Sequence, residues 1–185
     1  WAGRPSQFCG FHARRVLNNE VRQRVDVPGS DPLPSAALAD FIATNPGAQR
    51  VSAALKPGAE VSLRFVDEPG DWRLFVDGSG KALFERGSAE DPDFELYMPT
   101  AAVEAIVAHT DADPGVIGIT FFEHILSREP ARCIGVKVHS GIVKLTRRGW
   151  LGALALGGPK GIGWMAGKGL RGPGAIANAL MRLRS

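Results

Sequence analysis

Acidic residues stop at Glu129, and the stretch from there to Ser185 contains no Asp or Glu. That stretch carries ten basic residues: Arg132, Lys137, Lys144, Arg147, Arg148, Lys160, Lys168, Arg171, Arg182 and Arg184. The rest of the chain then holds 12 of the 22 Lys and Arg and all 19 Asp and Glu, a formal −7 beneath an overall charge of +3. A chain divided in this way attracts an anionic lipid surface, nucleic acid or an acidic partner, or folds its basic end onto its own acidic body. Cysteine is equally scarce. Cys9 and Cys133 alone exclude a disulfide scaffold and any four-cysteine zinc site. Two independent thiols favour a reducing compartment, so the expected location is cytoplasmic, peripheral to a membrane where the basic end meets one. No uninterrupted apolar run reaches the roughly 18 residues of a membrane span, and the longest, Trp150 to Met165, is broken by Lys160. The chain opens on Trp1, which predicts a processed or trimmed chain, and nothing in it has the charged, apolar, then small-residue order of a retained signal peptide.

Catalytic patterns are missing as well. There is no G-x-S-x-G elbow and no Walker loop. The histidines, His12, His109, His124 and His139, are not spaced as metal ligands. Glu123 and His124 are adjacent on a helix and point to different faces, which predicts a solvated Glu and a boundary His rather than an acid–base pair. Cys133 opens a strand and reads as a core thiol. Gly161, Gly163 and Gly167 have the look of a dinucleotide loop, but no βαβ unit and no acidic residue follow them. Asp91, Asp93 and Glu95 resemble a calcium loop in charge alone, without the hinge glycine and terminal Glu. The chain is therefore expected not to be an enzyme and to use no cofactor and no metal.

What is present is ordinary globular material: 185 residues, 44% apolar, enough for one domain with a modest extension. A helix is predicted over Phe11 to Arg24, and Val27 to Pro34, with three prolines and a glycine, reads as a linker. Ser35 is placed to cap a helix through Leu38, Phe41 and Ile42, and a short helix follows Asn45-Pro46-Gly47, from about Gln49 to Leu55. The period then changes to two. Val61, Leu63 and Phe65 alternate with Ser62 and Arg64, and Trp72, Leu74 and Val76 alternate with Arg73, Phe75 and Asp77. Asp67 to Asp71 and Asp77 to Gly80 have hairpin-turn chemistry. Lys81 to Arg86 and Phe94 to Met98 continue what reads as an antiparallel meander. Helices are predicted over Ala101 to His109 and about Val116 to Ser127, then a strand pair at Ile134 to Val138 and Ile142 to Thr146. Gly149 to Pro173 alternates glycine with large apolar groups. At about 1 kcal/mol lost per glycine it needs a core, a ligand or a membrane to hold it. Pro173 to Arg184 closes with a short amphipathic helix.

The order of these segments, with "VSLRFVDEPGDWRLFVDGSGKALFERG", "DFELYMPTAAVEAIVAH", "FFEHILS" and "CIGVKVHSGIVKL", resembles the sterol carrier protein type 2 family over roughly Val51 to Gly158. The resemblance implies an α+β fold: a mixed, mainly antiparallel five-stranded sheet covered by helices, with an apolar tunnel between the layers. It also implies binding or transfer of a sterol, fatty acyl chain, phospholipid or isoprenoid quinone. The expected organisation is an arm and linker over 1–34, the domain over 35–158, and a glycine-rich basic tail over 159–185 packed on or near it. The arm and tail exceed a minimal family domain.

Phe121, Phe122, Ile125 and Leu126 form an apolar cluster on one helix. With Phe75, Phe84, Trp150, Leu154, Trp164 and Met165 they supply more large apolar groups than a small sheet needs to cover. They are the expected lining of a pocket for an apolar small molecule or lipid. Lys160, Lys168 and Arg171 are the expected contacts with an anionic membrane. The alternative is an accessory module of a larger protein complex whose cavity is filled by its own side chains. Nucleic acid is the least expected partner, since the basic end lacks aromatic-interleaved surface strands.

Overall fold

The structure, a computed structural model, describes residues 32–110 and 113–169. The helix expected over Phe11 to Arg24, nearly all of the Val27 to Pro34 linker, the closing helix from Pro173 and Arg171 lie outside the described residues. Within them the protein is α+β, with seven helices and a mixed five-stranded sheet.

Helix α1 (Pro34–Thr44) begins on a proline suited to the first turn. Ser35 does not cap it as expected. It lies inside the first turn, where its backbone N–H and its hydroxyl donate to the Glu68 carboxylate at 3.1 and 2.7 Å. A carboxylate reaching across from the sheet thus does the capping, with the helix dipole in its favour. Helix α2 (Pro46–Ala54) is capped by Asn45, whose side chain accepts from the N–H groups of Gly47 and Ala48.

Strands β1 (Glu60–Phe65), β2 (Glu68–Val76) and β3 (Ala82–Arg86) form the expected hairpins. The β1–β2 turn is tighter than the Asp67 to Asp71 segment suggested. Phe65 pairs with Glu68 and Arg64 with Asp71, so Pro69 and Gly70 form a bulge within β2. The β2–β3 turn is organised by Asp77, whose carboxylate accepts from Ser79 N–H, Ser79 Oγ and Lys81 N–H. Those bonds, the Ser79 hydroxyl first, hold its carboxyl below the usual carboxylate range.

The meander ends there. Strand β4 (Phe94–Met98) does not pair with β3; it crosses to the other side and runs parallel to β1, giving the order β3-β2-β1-β4-β5. The crossing loop is held by Glu60, whose buried carboxylate accepts from the N–H groups of Glu90 and Asp91. Helices α3 (Thr100–Val107) and α4 (Pro114–Ile125) follow, then the edge strand β5 (Gly135–Val138), antiparallel to β4.

The expected second strand of that pair, Ile142 to Thr146, is instead helix α5 (Ile142–Arg147). A strand would place Val143 and Leu145 on one face. Here Leu145 is 1% exposed and Val143 71%, which only a helical period allows. The β-branched pair Ile142-Val143 misled the reading because Leu145, not propensity, decides the segment. Helices α6 (Trp150–Ala155) and α7 (Gly158–Gly167) build the glycine-rich stretch, so residues beyond 158 form a packed helix up to Gly167. Glycine is what lets them approach. A Cβ on Gly115 of α4 would lie 2.5 Å from the Gly157 carbonyl, and one on Gly149, at φ +86°, would strike the Ala54 carbonyl.

The helices gather on one face of the sheet. Leu38 and Phe41 of α1 and Ala102, Val103 and Ile106 of α3 pack on Val61, Leu63, Phe65 and Met98. The other face is an ion-pair lattice. Arg64 bonds Asp71 at 2.7 Å and Glu95 at 3.0 Å, Arg73 bonds Glu85 at 2.6 Å, and His139 meets Glu95 at 3.3 Å. No helix among the described residues is long and apolar enough to cross a membrane.

Candidate functional site: an incompletely sealed apolar layer and a buried aspartate

Alternation puts Val61, Leu63 and Phe65 of β1 on the inner face beside Phe94, Leu96 and Met98 of β4. The three β1 residues and Met98 are buried, but Phe94 and Leu96 are only half-buried, as is Val136 opposite Leu96 on β5. Ile117, Phe121 and Ile125 of α4 and Trp150 of α6 pack on this core and are half-buried too. The result is a set of large apolar groups around the core that are only half-buried. At the far edge of the sheet Trp72 stacks on Phe84, with ring centroids 5.5 Å apart. Trp72 Nε1 is buried there without a hydrogen-bond acceptor.

Beside this layer sits a polar cluster that the sequence did not announce. Asp93 is fully buried immediately before β4. Its Oδ1 accepts from Ser140 Oγ at 2.5 Å and Arg148 Nη1 at 2.8 Å. Its Oδ2 accepts from Trp150 Nε1 at 2.7 Å and, more weakly, from Glu60 N–H at 3.3 Å. A carboxylate so deeply buried is tolerable only with its lone pairs matched in this way. Trp150 is therefore fixed twice, by its N–H on Asp93 and by its ring edge-on to Phe94 at 4.9 Å. Arg148 also reaches Asp91 at 2.9 Å, and Lys144 bonds Asp91 at 2.6 Å. The bond from Lys144 leads in holding the Asp91 carboxyl below its ordinary range.

The ten apolar residues expected to line a pocket divide among several places. Phe84, Phe121, Ile125 and Trp150 do pack around the larger apolar core of the described residues. Phe122 and Trp164 meet where α7 packs on α4, with their rings 6.2 Å apart, and Met165 of α7 is buried. Leu154 is half-buried on α6, and Leu126 is exposed at the end of α4. Phe75 stands on the opposite face of the sheet under the Arg73 guanidinium, because its neighbours Leu74 and Val76 take the inner positions of β2. Of the basic residues expected at a membrane, Lys160 pairs with Asp113 at 2.9 Å and Lys168 lies over the Trp164 ring. His124 is buried rather than at a boundary, with its ring bonded to the Arg132 carbonyl at 2.8 Å, while Glu123 is exposed. Among the described residues no three His, Cys, Asp or Glu side chains converge as metal ligands.

Among the described residues, two surface clefts stand near the groups named above. One, of about 790 Å³, is lined by Pro57, Gly58, Asp91 and α5 with its flanking Gly141 and Arg148. The other, of about 560 Å³, lies between the ends of α1 and α3. Neither borders the half-buried residues under α4. Comparison with family models, with curated proteins and with solved structures finds no match.

Proposed function

We propose that the protein binds an apolar molecule, of the size of a fatty acyl chain or sterol, between α4 and the β4–β5 side of the sheet, without catalysing its conversion. The observation that carries this reading is the contrast along one face. Val61, Leu63 and Phe65 are sealed, while Phe94, Leu96 and Val136 beside them stay half-buried, as do Ile117, Phe121 and Ile125 of α4 against the same core. An apolar guest completing that layer would remove the remaining area from water at roughly 25 cal/mol per Å².

Neither of the two clefts described above borders these residues. That same fact favours a second reading, an accessory interaction module whose interior is filled by its own side chains. Displacement of a fluorescent fatty acid or sterol probe, with mass spectrometry of an organic extract of the purified protein, separates the two. Binding should saturate at micromolar probe and be lost in Leu96→Trp, which fills the layer. No displaceable binding, in wild type and variant alike, leaves the interaction module.

A further inference from the structure

Helix α5 has two sides of opposite character. Leu145 is buried, while Val143 is 71% exposed and stands with Ile142 in the wall of the 790 Å³ cleft. Lys144, Arg147 and Arg148 line the same cleft, and the facing wall is Pro57 and Gly58, directly after the exposed Lys56. One carboxylate belongs to the lining, Asp91, and it is already compensated by Lys144 at 2.6 Å and Arg148 at 2.9 Å. Arg148 is in turn shared with the buried Asp93. Arg147 and Lys56 have no ion pair among the described residues, so the balance at the cleft is positive. No acidic residue follows Glu129 anywhere in the chain, so α6 and α7 add no repulsion.

An exposed valine ringed by cations is poorly matched to water and poorly matched to a purely polar partner. A surface of anionic phospholipid suits both parts, with phosphates for the cations and an apolar boundary for the aliphatic tip. A small free phosphate would engage the cations alone and leave Val143 in solvent.

We propose that the cleft between α5 and the Lys56–Gly58 turn docks on the anionic surface of a phospholipid bilayer, with Arg147 and Lys56 at the phosphates and Val143 entering the interface. The α7 surface is less suited, since Lys160 is engaged by Asp113 and Lys168 by the Trp164 ring. Docking at α5 does not depend on a guest in the apolar layer, so either can fail without the other.

Flotation of the full chain with vesicles tests it. Vesicles of phosphatidylcholine mixed with phosphatidylglycerol should carry the protein, those of phosphatidylcholine alone should not, and salt should weaken the association. Arg147→Gln should lower the partition about fivefold, the usual worth of one basic residue at such a surface. Val143→Asp should lower it further. Both side chains are exposed and outside the core, so folding is not at stake. The double variant Lys160→Gln, Lys168→Gln should float like wild type. Equal flotation with both vesicle types, none with either, or loss confined to the α7 double variant would overturn the assignment. So would saturable binding of inorganic phosphate by a protein that ignores vesicles, which would make the cleft a small-anion site.

Discussion

On the inner face of the sheet β1 and β4 lie side by side, paired in parallel and equally apolar, yet their environments differ. Val61, Leu63 and Phe65 are buried in one cluster with Leu38, Phe41, Val103 and Ile106. Phe94 and Leu96 stay half-buried, Phe94 against Trp150 of α6 and Leu96 beside Val136 of the four-residue edge strand β5. At that end α6 spans only six residues, and α7, which packs on α4, holds four glycines in ten residues. Apolar composition is therefore not what seals a core; sealing needs side chains of enough bulk on every element around it.

The sharpest way to break the comparison is truncation on each side. Leu63→Ala should cost about 3–4 kcal/mol, as for a fully buried leucine, whereas Leu96→Ala, already partly in water, should cost about 1 kcal/mol. Urea unfolding of the two variants measures the difference, and equal losses would mean that β4 is as tightly held as β1. Next in size is Gly115→Ala. Its new methyl would meet the Gly157 carbonyl at 2.5 Å and push α7 from α4. We expect a loss of about 1–3 kcal/mol by the same measurement, and greater probe access to the apolar layer. Enlargement should give a smaller effect on the loose side. Leu96→Phe should change stability by no more than about 0.5 kcal/mol, while Leu63→Phe should lose about 1–3 kcal/mol by overpacking.

The smallest effect lies on the outer face. Burial raises the Glu95 carboxyl, but hydrogen bonds from Tyr97 and His139 and the charge of Arg64 outweigh it and hold the group below its ordinary 4.5. A depressed carboxyl contributes stability above its unfolded value that is lost as pH falls through its lower folded value. Stability should therefore decline below about pH 4.5 more steeply in wild type than in Glu95→Gln, as followed by acid titration of the urea midpoint. Identical profiles would assign the acid sensitivity to other carboxylates.

The hairpins β1–β2–β3 were legible because alternation is local: Val61, Leu63, Phe65, Trp72, Leu74 and Val76 declare one face by spacing alone. The same rule failed at Ile142-Val143, where β-branched residues form a helix whose burial of Leu145 outweighs their preference for a strand. It was also silent on β4, whose own pattern is the same whether it pairs with β3 or crosses to β1. Asp93 was hidden for a different reason. It alternates with Asp91 and Glu95 as a surface strand would, and its partners Ser140, Arg148 and Trp150 lie 47 to 57 residues away. The aromatic set was found as a composition, but its division between the core, the α4–α7 contact and the outer face depends on register and packing.

Asp93 also decides where the chain can be cut. Its carboxylate is prepared at the start of β4, but three of its four donors arrive only with residues 140 to 150. A fragment ending between β4 and Trp150 would have to keep a bare anion under its sheet or expose the strand to hydrate it, and either is severely unfavourable. Residues 139–150 are thus not an appendage to a domain that could stand without them. A shortened version of this protein that ends before Trp150 should be recovered as an aggregate or a degradation product, while one that ends beyond α7 keeps all four donors.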